Sequence, residues 1–411
     1  MISQDVVTTD ADAPRDVPAP QRGFVRRLGH CLVRDGARVR VVGSSAFHLQ
    51  EESVRQELGW GPSRDSVQRT FDVAARAGVR VLRIAAFNER IDDVATIQSS
   101  PGVLREEGLR GLDRVIEQAH AHDILLIVVL SNYWEDYGGI PQYAQWLGLP
   151  SDYPERGLLW REARIRAALA DYATRIVTRV NTRTSRRYAN EPTILAWELV
   201  NEPRGTGLTD RGVTFADAMH TLAVAVHSAG AQQLVVVGDE GYDADTRGYD
   251  TRYWDRMDDR FITTRRGESF QRIVTDPAID AATLHWYPDH WTVPTADARE
   301  AGVRWLREHA AIVARVNKPM LFEEFGLMAH RHPDATERMI TMERWFEQAH
   351  ALETIAAVMP WGMHYDPAFR DRDGLEWGAR EGDDPMRALV SRWSQRFAQD
   401  QDLSRCNDSV P

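Results

Sequence analysis

The stretch GLDRVIEQAHAHDILLIVVLSN (111–132) decides the fold, because a helix pattern is followed directly by a strand pattern. Apolar residues from Leu112 to Ala119 recur at three- and four-residue spacings, as they do on one face of a helix. The run Ile124–Leu130 is then uninterruptedly apolar and rich in β-branched residues. A short run of this kind is typical of a parallel strand that is buried on both faces.

The same alternation continues on both sides of this stretch. Strand patterns are predicted at 37–47, 79–87, 124–132, 193–202, 234–240, 281–287, 319–326 and 354–362. Helix patterns are predicted at 65–78, 107–123, 161–184, 213–230, 297–316, 337–352 and 384–397. Eight strands separated by helices predict an α/β fold, a single (β/α)8 TIM barrel with elaborated loops at its C-terminal face. The alternative is an open doubly wound sheet, which rarely needs eight such units, and no Gly-x-Gly-x-x-Gly follows the first strand.

One domain is expected, because no linker, repeat or low-complexity tract interrupts the pattern. We expect the catalytic barrel to span residues 23–400. The flanking segments 1–22 and 401–411 lack periodicity and are expected to be flexible tails.

The composition narrows the classes of partner. The 411 residues carry a net charge of −11, which disfavours a nucleic-acid partner but is compatible with a neutral ligand such as a sugar. No apolar run reaches the roughly 18 residues needed to span a membrane. The first 20 residues lack the basic and apolar regions of a secretory signal, so a cytoplasmic location is expected.

Only two cysteines are present, Cys31 and Cys406, near opposite ends of the chain. They form neither a disulfide framework nor a metal-binding C-x-x-C spacing. We expect them to be isolated and inert, as suits a reducing compartment.

The residues able to take part in catalysis or binding lie at the ends of the predicted strands. In TIM barrels the active site lies at the C-terminal strand ends. The candidates there are Arg83, Asn132, Trp134, Asn201, Glu202, Glu240, His285, Tyr287, Glu324 and Trp361. This ring lacks a three-His or His/Cys cluster, a Gly-rich phosphate loop and a Gly-x-Ser-x-Gly elbow, so no metal or organic cofactor is expected.

Two of these residues form the pair that glycoside hydrolysis needs. Glycosidic bonds are cleaved between two carboxyl groups, one of which protonates the leaving oxygen while the other attacks or activates water. Glu202 and Glu324 end the fourth and seventh predicted strands, which lie on opposite sides of a closed ring. A single glutamate is most often a surface or salt-bridged residue, but two at these strand ends among aromatic residues favour a glycosidase.

The sequence resembles a known family at these positions. TILAWELVNEPR (193–204) is similar to the strand-four signature of glycoside hydrolase family 5 of clan A, and KPMLFEEFG (318–326) to its strand-seven signature. The likeness runs from about residue 37 to 365 and is closest to the β-mannanase and β-mannosidase branch. The segments that resemble this branch are the third-strand region 111–146, VVGDEGY and LHWYPDHW.

The resemblance implies a retaining mechanism and a role for each residue. Glu202 corresponds to the acid/base, protonated at rest with a raised pKa, and Glu324 to the nucleophile. Arg83 would keep Glu324 ionised. The implied substrate contacts are Asn201 on the 2-hydroxyl, His285 and Tyr287 in the wall, Trp361 as the stacking floor, and Trp134 and Glu240.

Neighbouring carboxyl groups offer alternatives. Glu323 precedes Glu324, and successive strand residues point to opposite sides, so only one of the two is expected to face the site. Glu198 has the same parity as Glu202 and is expected to be a buried, paired structural residue. His48, after the first strand, either contacts substrate or caps a loop.

The resemblance favours a β-mannoside substrate and leaves the mode of action open. With no signal segment and no binding module in view, we expect an exo-acting β-mannosidase on short β-1,4-linked oligosaccharides, with the cleft closed by segment 87–106, 135–160 or 241–268. An endo-β-1,4-mannanase is the alternative, followed by a β-glucosidase or glucanase and a non-catalytic sugar-binding barrel. Oligomeric state cannot be predicted from these residues.

Overall fold

The computed structural model describes residues 22–60, 65–152, 155–245, 247–249, 267–364, 373–378 and 384–406. The expected N-terminal tail up to residue 21, the last five residues and most of the segment 241–268 lie outside the described residues.

Strands and helices alternate along the described chain. The strands are β1 Arg26–Leu28, β2 Cys31–Arg34, β3 Ala37–Val39, β4 Val41–Ser45, β5 Val81–Ala85, β6 Gln98–Ser100, β7 Val103–Leu104, β8 Leu125–Val129, β9 Ile194–Glu198, β10 Leu234–Val236, β11 Ala282–Trp286, β12 Met320–Phe325 and β13 Ile355–Val358. The α-helices are α1 Leu49–Glu57, α2 Ser66–Ala77, α3 Glu106–Ala121, α4 Gly139–Trp146, α5 Ala163–Thr178, α6 Val213–Ser228, α7 Phe270–Thr275, α8 Ala298–Arg315, α9 Ala335–Ala351 and α10 Pro385–Ala398. Among the described residues, no helix combines the length and the apolar character that a membrane span requires.

Eight parallel strands form the barrel in the order β10-β9-β8-β5-β4-β13-β12-β11. The seam between β10 and β11 is bridged by single backbone hydrogen bonds, from Asp280 N to Val235 O at 2.8 Å and from His285 N to Glu240 O at 3.2 Å. The predicted TIM barrel is therefore confirmed, and its C-terminal strand ends meet at one face.

The strand residues divide into an inner and an outer layer. Leu125, Ile127 and Leu321 belong to a small core inside the barrel. Leu126 and Val128, which alternate with them on β8, pack in the larger core between strands and helices. This burial on both faces explains why the strand sequences read as continuous apolar runs rather than alternating ones.

A small antiparallel sheet, β1-β2-β3, is the main departure from the predicted elements. The sequence analysis predicts one strand at 37–47, but the structure divides it into β3 of this sheet and β4 of the barrel. Asp35 and Gly36 both have positive φ, as a tight hairpin turn between β2 and β3 requires. Leu32 of β2 packs into the inner core, so the sheet caps the N-terminal end of the barrel.

The two cysteines are bonded to each other, which corrects the expectation that they are isolated. Cys31 on β2 and Cys406 form a disulfide, with their Cα atoms 5.5 Å apart. Their separation of 375 residues conceals this proximity, because closing the barrel brings the first and last elements to the same end. The segment Leu403–Cys406 is a 3-10 turn that ends at this bond.

We expect the double variant Cys31→Ser/Cys406→Ser to lose about 2–4 kcal/mol of free energy of unfolding, because the unfolded chain regains loop entropy. Its activity should stay unchanged, since the bond joins the cap at the N-terminal end of the barrel, away from the C-terminal strand ends. Chemical denaturation with and without reductant measures this. A reductant should destabilise the natural protein and leave the double variant unaffected; equal sensitivity of the two would contradict the bond.

Candidate active site

A cavity of about 690 Å³ opens at the C-terminal strand ends. The predicted site residues that line it are Asn132, Trp134, Asn201, Glu202, Glu240, Tyr287, Glu324 and Trp361. Arg83 and His285 are fully buried behind this lining. They contact the two principal carboxyl groups and do not form part of the cavity wall.

Glu202 lies just beyond β9 in a left-handed backbone conformation, with φ of 45°. For a residue with a side chain this conformation costs about 1–2 kcal/mol. The hydrogen bond from Glu202 N to Gly238 O, at 2.9 Å, helps to hold the turn. The carboxylate accepts a hydrogen bond from Trp134 Nε1 at 2.7 Å and faces His285 Nδ1 at 2.9 Å.

Glu324 is held from two sides at the end of β12. Tyr287 donates a hydrogen bond from its hydroxyl to Glu324 Oε2 at 2.8 Å, and Arg83 binds Oε1. One carboxylate oxygen of Glu324 and one of Glu202 lie within 4.8 Å of each other. The predicted pair of carboxyl groups therefore meets across the cavity.

Arg83 connects the site to the barrel interior. Its guanidinium group binds both carboxylate oxygens of Glu198, with Nε 2.6 Å from Oε2, and donates to Asn201 Oδ1 at 2.6 Å. Glu198 is fully buried in this ion pair, as the sequence analysis expects. Glycine is required at Gly238 beside it, because a Cβ there would lie 2.2 Å from Glu198 Oε1.

Glu324 lines the cavity and Glu323 does not, as the sequence analysis expects, but the two side chains do not point to opposite sides of the strand. Leu284 pairs with Phe322 and His285 with Glu324, so Glu323 is an extra residue in β12. This is a β-bulge, which leaves two successive side chains on one side of the strand. Phe322 and Phe325 stack on each other in the outer core, at 4.4 Å between ring centroids.

The pKa of Glu202 is shifted in the direction opposite to the expected one. Burial alone would raise its pKa, but the hydrogen bond and charge of His285, followed by the charge of Arg204, outweigh burial and lower it. Burial alone would lower the pKa of His285, yet the carboxylates of Glu324 and Glu202 raise it well above its ordinary value. The two shifts together favour an ionised Glu202 beside a protonated His285, in contrast to the protonated Glu202 that the resemblance implies.

Burial raises the pKa of Glu324, and the positive charges of His285 and Arg83 oppose that rise. Arg83 contacts this carboxyl as the resemblance implies, but burial outweighs its effect on the pKa.

The amide and aromatic groups beside Glu202 form a connected frame. Asn201 Nδ2 donates to Asn132 Oδ1 at 3.0 Å, and the same oxygen accepts from the Trp134 backbone N–H at 3.2 Å. Arg204, not singled out from the sequence, stacks over the Trp134 ring at 4.7 Å. It also binds Glu240 through two hydrogen bonds of 2.6 Å. Its place two residues after Glu202 is the sequence signal that could have identified it.

The opposite wall contains residues that sequence reasoning left open or missed. His48 lines the cavity, and its ring stacks on that of His364 at 3.9 Å. Trp361 and Phe47 pack together at 6.2 Å between centroids. His364 follows the eighth strand, but its loop carries no pattern that marks it as a site residue. Asp136 also lines the cavity.

One group of metal-ligand type is present among the described residues: Glu202, His285 and Glu324. Their polar atoms already face one another or are hydrogen-bonded to Trp134, Tyr287 and Arg83. The adjacent guanidinium cation also opposes a second positive charge. These residues therefore fit proton transfer better than metal binding.

Comparisons with known proteins agree with this geometry. A family model described as "GH family 5 beta-mannosidase-like" matches residues 22–359. The chain is 32% identical over 314 residues to mannan endo-1,4-beta-mannosidase 1 of Arabidopsis thaliana, covering 75% of this chain and 72% of that protein. It is 28% identical to the probable mannan endo-1,4-beta-mannosidase A of Aspergillus oryzae, over 77% of this chain and 75% of that protein.

The chain is also similar to solved structures of mannanases and a mannosidase. The endo-beta-1,4-mannanase of Thermotoga petrophila superposes with a TM-score of 0.76 at 25% identity, covering 89% of this chain and 78% of that chain. The endo-1,4-beta-mannanase of Rhizomucor miehei gives the same TM-score and identity, over 92% of this chain and 100% of the other. A family 5 mannosidase of Rhizomucor miehei, at 18% identity and a TM-score of 0.72, shares the fold.

We expect Arg83→Met to lower the free energy of unfolding by about 3–5 kcal/mol, because it leaves the buried carboxylates of Glu198 and Glu324 without their cation. The loss should shrink at acid pH, because burial raises the pKa of Glu324 and its protonated carboxyl group no longer needs the cation. Urea denaturation across pH measures it. The control is Arg76→Met on the exposed face of α2, expected within about 0.5 kcal/mol of the natural protein. Equal stability of the two variants at neutral pH would contradict a structural role for this ion pair.

Proposed function

The chain belongs to glycoside hydrolase family 5, among its β-mannosidase-like members, and from this premise we propose that it is a retaining endo-β-1,4-mannanase. The observation that carries the mechanism is the approach of the Glu202 and Glu324 carboxylate oxygens to within 4.8 Å. Retaining enzymes hold their carboxyl groups about 5–5.5 Å apart, whereas inverting enzymes leave about 6.5–9.5 Å for a water molecule. This spacing favours direct attack by a carboxylate.

In the proposed reaction Glu324 attacks the anomeric carbon, and Glu202 donates a proton to the departing glycosidic oxygen. A covalent glycosyl-enzyme forms on Glu324. Glu202, now ionised, takes a proton from water, and the water oxygen displaces Glu324 from the anomeric carbon. Tyr287 and Arg83 bind the Glu324 carboxylate and hold it in line for the attack.

The cavity lining suits a polysaccharide segment. Trp361 and Trp134 present aromatic surface, which packs against sugar rings, and Asn201 and Glu240 offer hydrogen-bonding groups. Arg204 neutralises Glu240, so this side of the cavity is polar without a large net charge.

Endo action is the better supported mode. The curated relatives compared above are named as endo-acting mannosidases at 28–32% identity. The exo mode expected from the sequence needs a loop that closes the cleft. Segments 87–106 and 135–160 contribute Arg90, Asp136 and Tyr137 to the lining, while most of 241–268 lies outside the described residues. Exo action therefore remains the second candidate, to be decided by products.

We also infer that the protein works in an oxidising compartment. The Cys31–Cys406 disulfide supports this, since such bonds persist mainly in oxidising surroundings. The cytoplasmic location expected from the sequence stays a prediction, and isolating the protein with its thiols alkylated in situ would distinguish the two.

We expect Glu202→Ala and Glu324→Ala to fail at different steps. Glu202→Ala should cleave mannan about 10²–10⁴-fold more slowly, because the sugar leaving group needs a proton. With 2,4-dinitrophenyl β-mannobioside, whose leaving group needs none, it should give a burst of dinitrophenolate and accumulate a mannobiosyl-enzyme. Glu324→Ala should give neither.

Stopped-flow absorbance and intact-protein mass spectrometry measure these outcomes. Glu117→Ala, on α3 and paired with Arg183, serves as the matched control and should behave like the natural enzyme. A covalent adduct on Glu324→Ala would contradict the assignment of Glu324 as the nucleophile.

We expect mannohexaose labelled at its reducing end to yield internal fragments, such as mannobiose to mannotetraose, as the earliest products. Endo action requires sugar-binding subsites on both sides of the cleaved bond. Early chromatographic time points at low conversion measure this. If mannose and labelled mannopentaose appear alone, the enzyme is an exo-β-mannosidase; if mannosides stay intact while β-glucans are cut, the mannoside assignment is wrong.

A further inference from the structure

The β-bulge in β12 places a carboxyl group beneath the active site that the reaction above does not use. Glu323 is fully buried, and neither of its carboxylate oxygens has a hydrogen-bond partner among the described residues. Its Oε2 lies 3.7 Å from His285 Nε2. The other ring nitrogen of His285 faces Glu202 Oε1 at 2.9 Å. The imidazole therefore stands between the proposed acid/base and a second, hidden carboxyl group.

We propose that Glu323 is a positioning residue that acts through His285 and decides whether the proton of the Glu202–His285 pair lies on the carboxyl or on the imidazole. This inference rests on the proposed function of Glu202 as acid/base. The β-bulge, by placing Glu323 behind His285, would then help to set the pH range over which the enzyme is active.

The charged groups around the imidazole come from three strands or their ends. His285 is faced by Glu202 after β9, Asp239 after β10, and Glu323 and Glu324 of β12. Glu323 is faced by Glu198 of β9, Arg83 of β5 and His285. Arg83 is already bound to Glu198 and Glu324, so no cation is assigned to Glu323 alone.

The protonation of Glu323 therefore changes the balance at His285. Burial and the charge of Glu198 raise the pKa of Glu323 to about 7, against the opposing effect of His285. Below that pH Glu323 is neutral, and the proton can pass from His285 Nδ1 to the Glu202 carboxyl, which then acts as the acid. Above it the ionised Glu323 stabilises the imidazolium and keeps the proton from Glu202. Activity should fall as Glu323 loses its proton.

The test compares Glu323→Gln with the natural enzyme. Gln keeps the size of the side chain and removes the ionisation, so the alkaline limb of kcat/KM on a mannan oligosaccharide should move to higher pH. One pH unit above the limb of the natural enzyme, the variant should be up to about tenfold more active relative to its own maximum, as expected for removal of one controlling ionisation. Glu89→Gln is the matched control. Glu89 is also buried with a pKa raised by burial to about 8, but it accepts a hydrogen bond from Gly139 N instead of facing His285.

A second measurement needs no variant and no activity. In protein labelled with ¹⁵N-histidine, the Nε2 resonance of His285, assigned with His285→Gln, should inflect near pH 7 and lose that inflection in Glu323→Gln. An unchanged alkaline limb together with no inflection would overturn the proposal and leave Glu323 a structural residue. An inflection in a protein that cleaves no glycoside would instead support the Glu323–His285 coupling and overturn the proposed function.

Discussion

The ion pair between Arg83 and Glu198 is the constraint on which the active site depends. A buried cation needs its partners in place, and Arg83 takes them from β9 and β12 at once. Those strands come together around β5 only when the barrel closes. The guanidinium group also fixes Asn201, the residue before Glu202. The position of both principal carboxyl groups is therefore tied to the same buried cation, which couples closure of the barrel to assembly of the site.

The barrel and the meeting of two carboxyl groups at its C-terminal strand ends could be predicted from the sequence because their signals are local. The run Ile124–Leu130 marks a buried parallel strand, and Glu202 and Glu324 follow runs of the same kind. The features that could not be read depend on pairing between distant segments. The bulge at Glu323 is defined by how β12 pairs with β11, and the sequence of β12 alone predicts regular alternation instead. The bond between Cys31 and Cys406 depends on where the chain ends after eight strands.

Two further differences have physical causes. The hairpin at Asp35-Gly36 has a recognisable turn sequence, but its strands are only three or four residues long and merge with the first barrel strand in the sequence pattern. The pKa of Glu202 depends on the sum of its neighbours. The hydrogen bond and charge of His285 lower the pKa of Glu202, and the surrounding carboxylates raise the pKa of His285. A motif identifies the residues of such a cluster but not the distances that decide where its proton lies.

The bond between the cap and the last turn also makes the polypeptide a nearly closed ring. Cys31 and Cys406 have their Cα atoms 5.5 Å apart, so the start and the end of the described barrel meet. A circularly permuted protein, in which these two regions are joined and the new termini lie in a surface loop, should therefore fold into the same barrel. A protease that cuts one surface loop of the natural protein would leave two fragments joined through the cystine, and they would separate on a gel only after reduction.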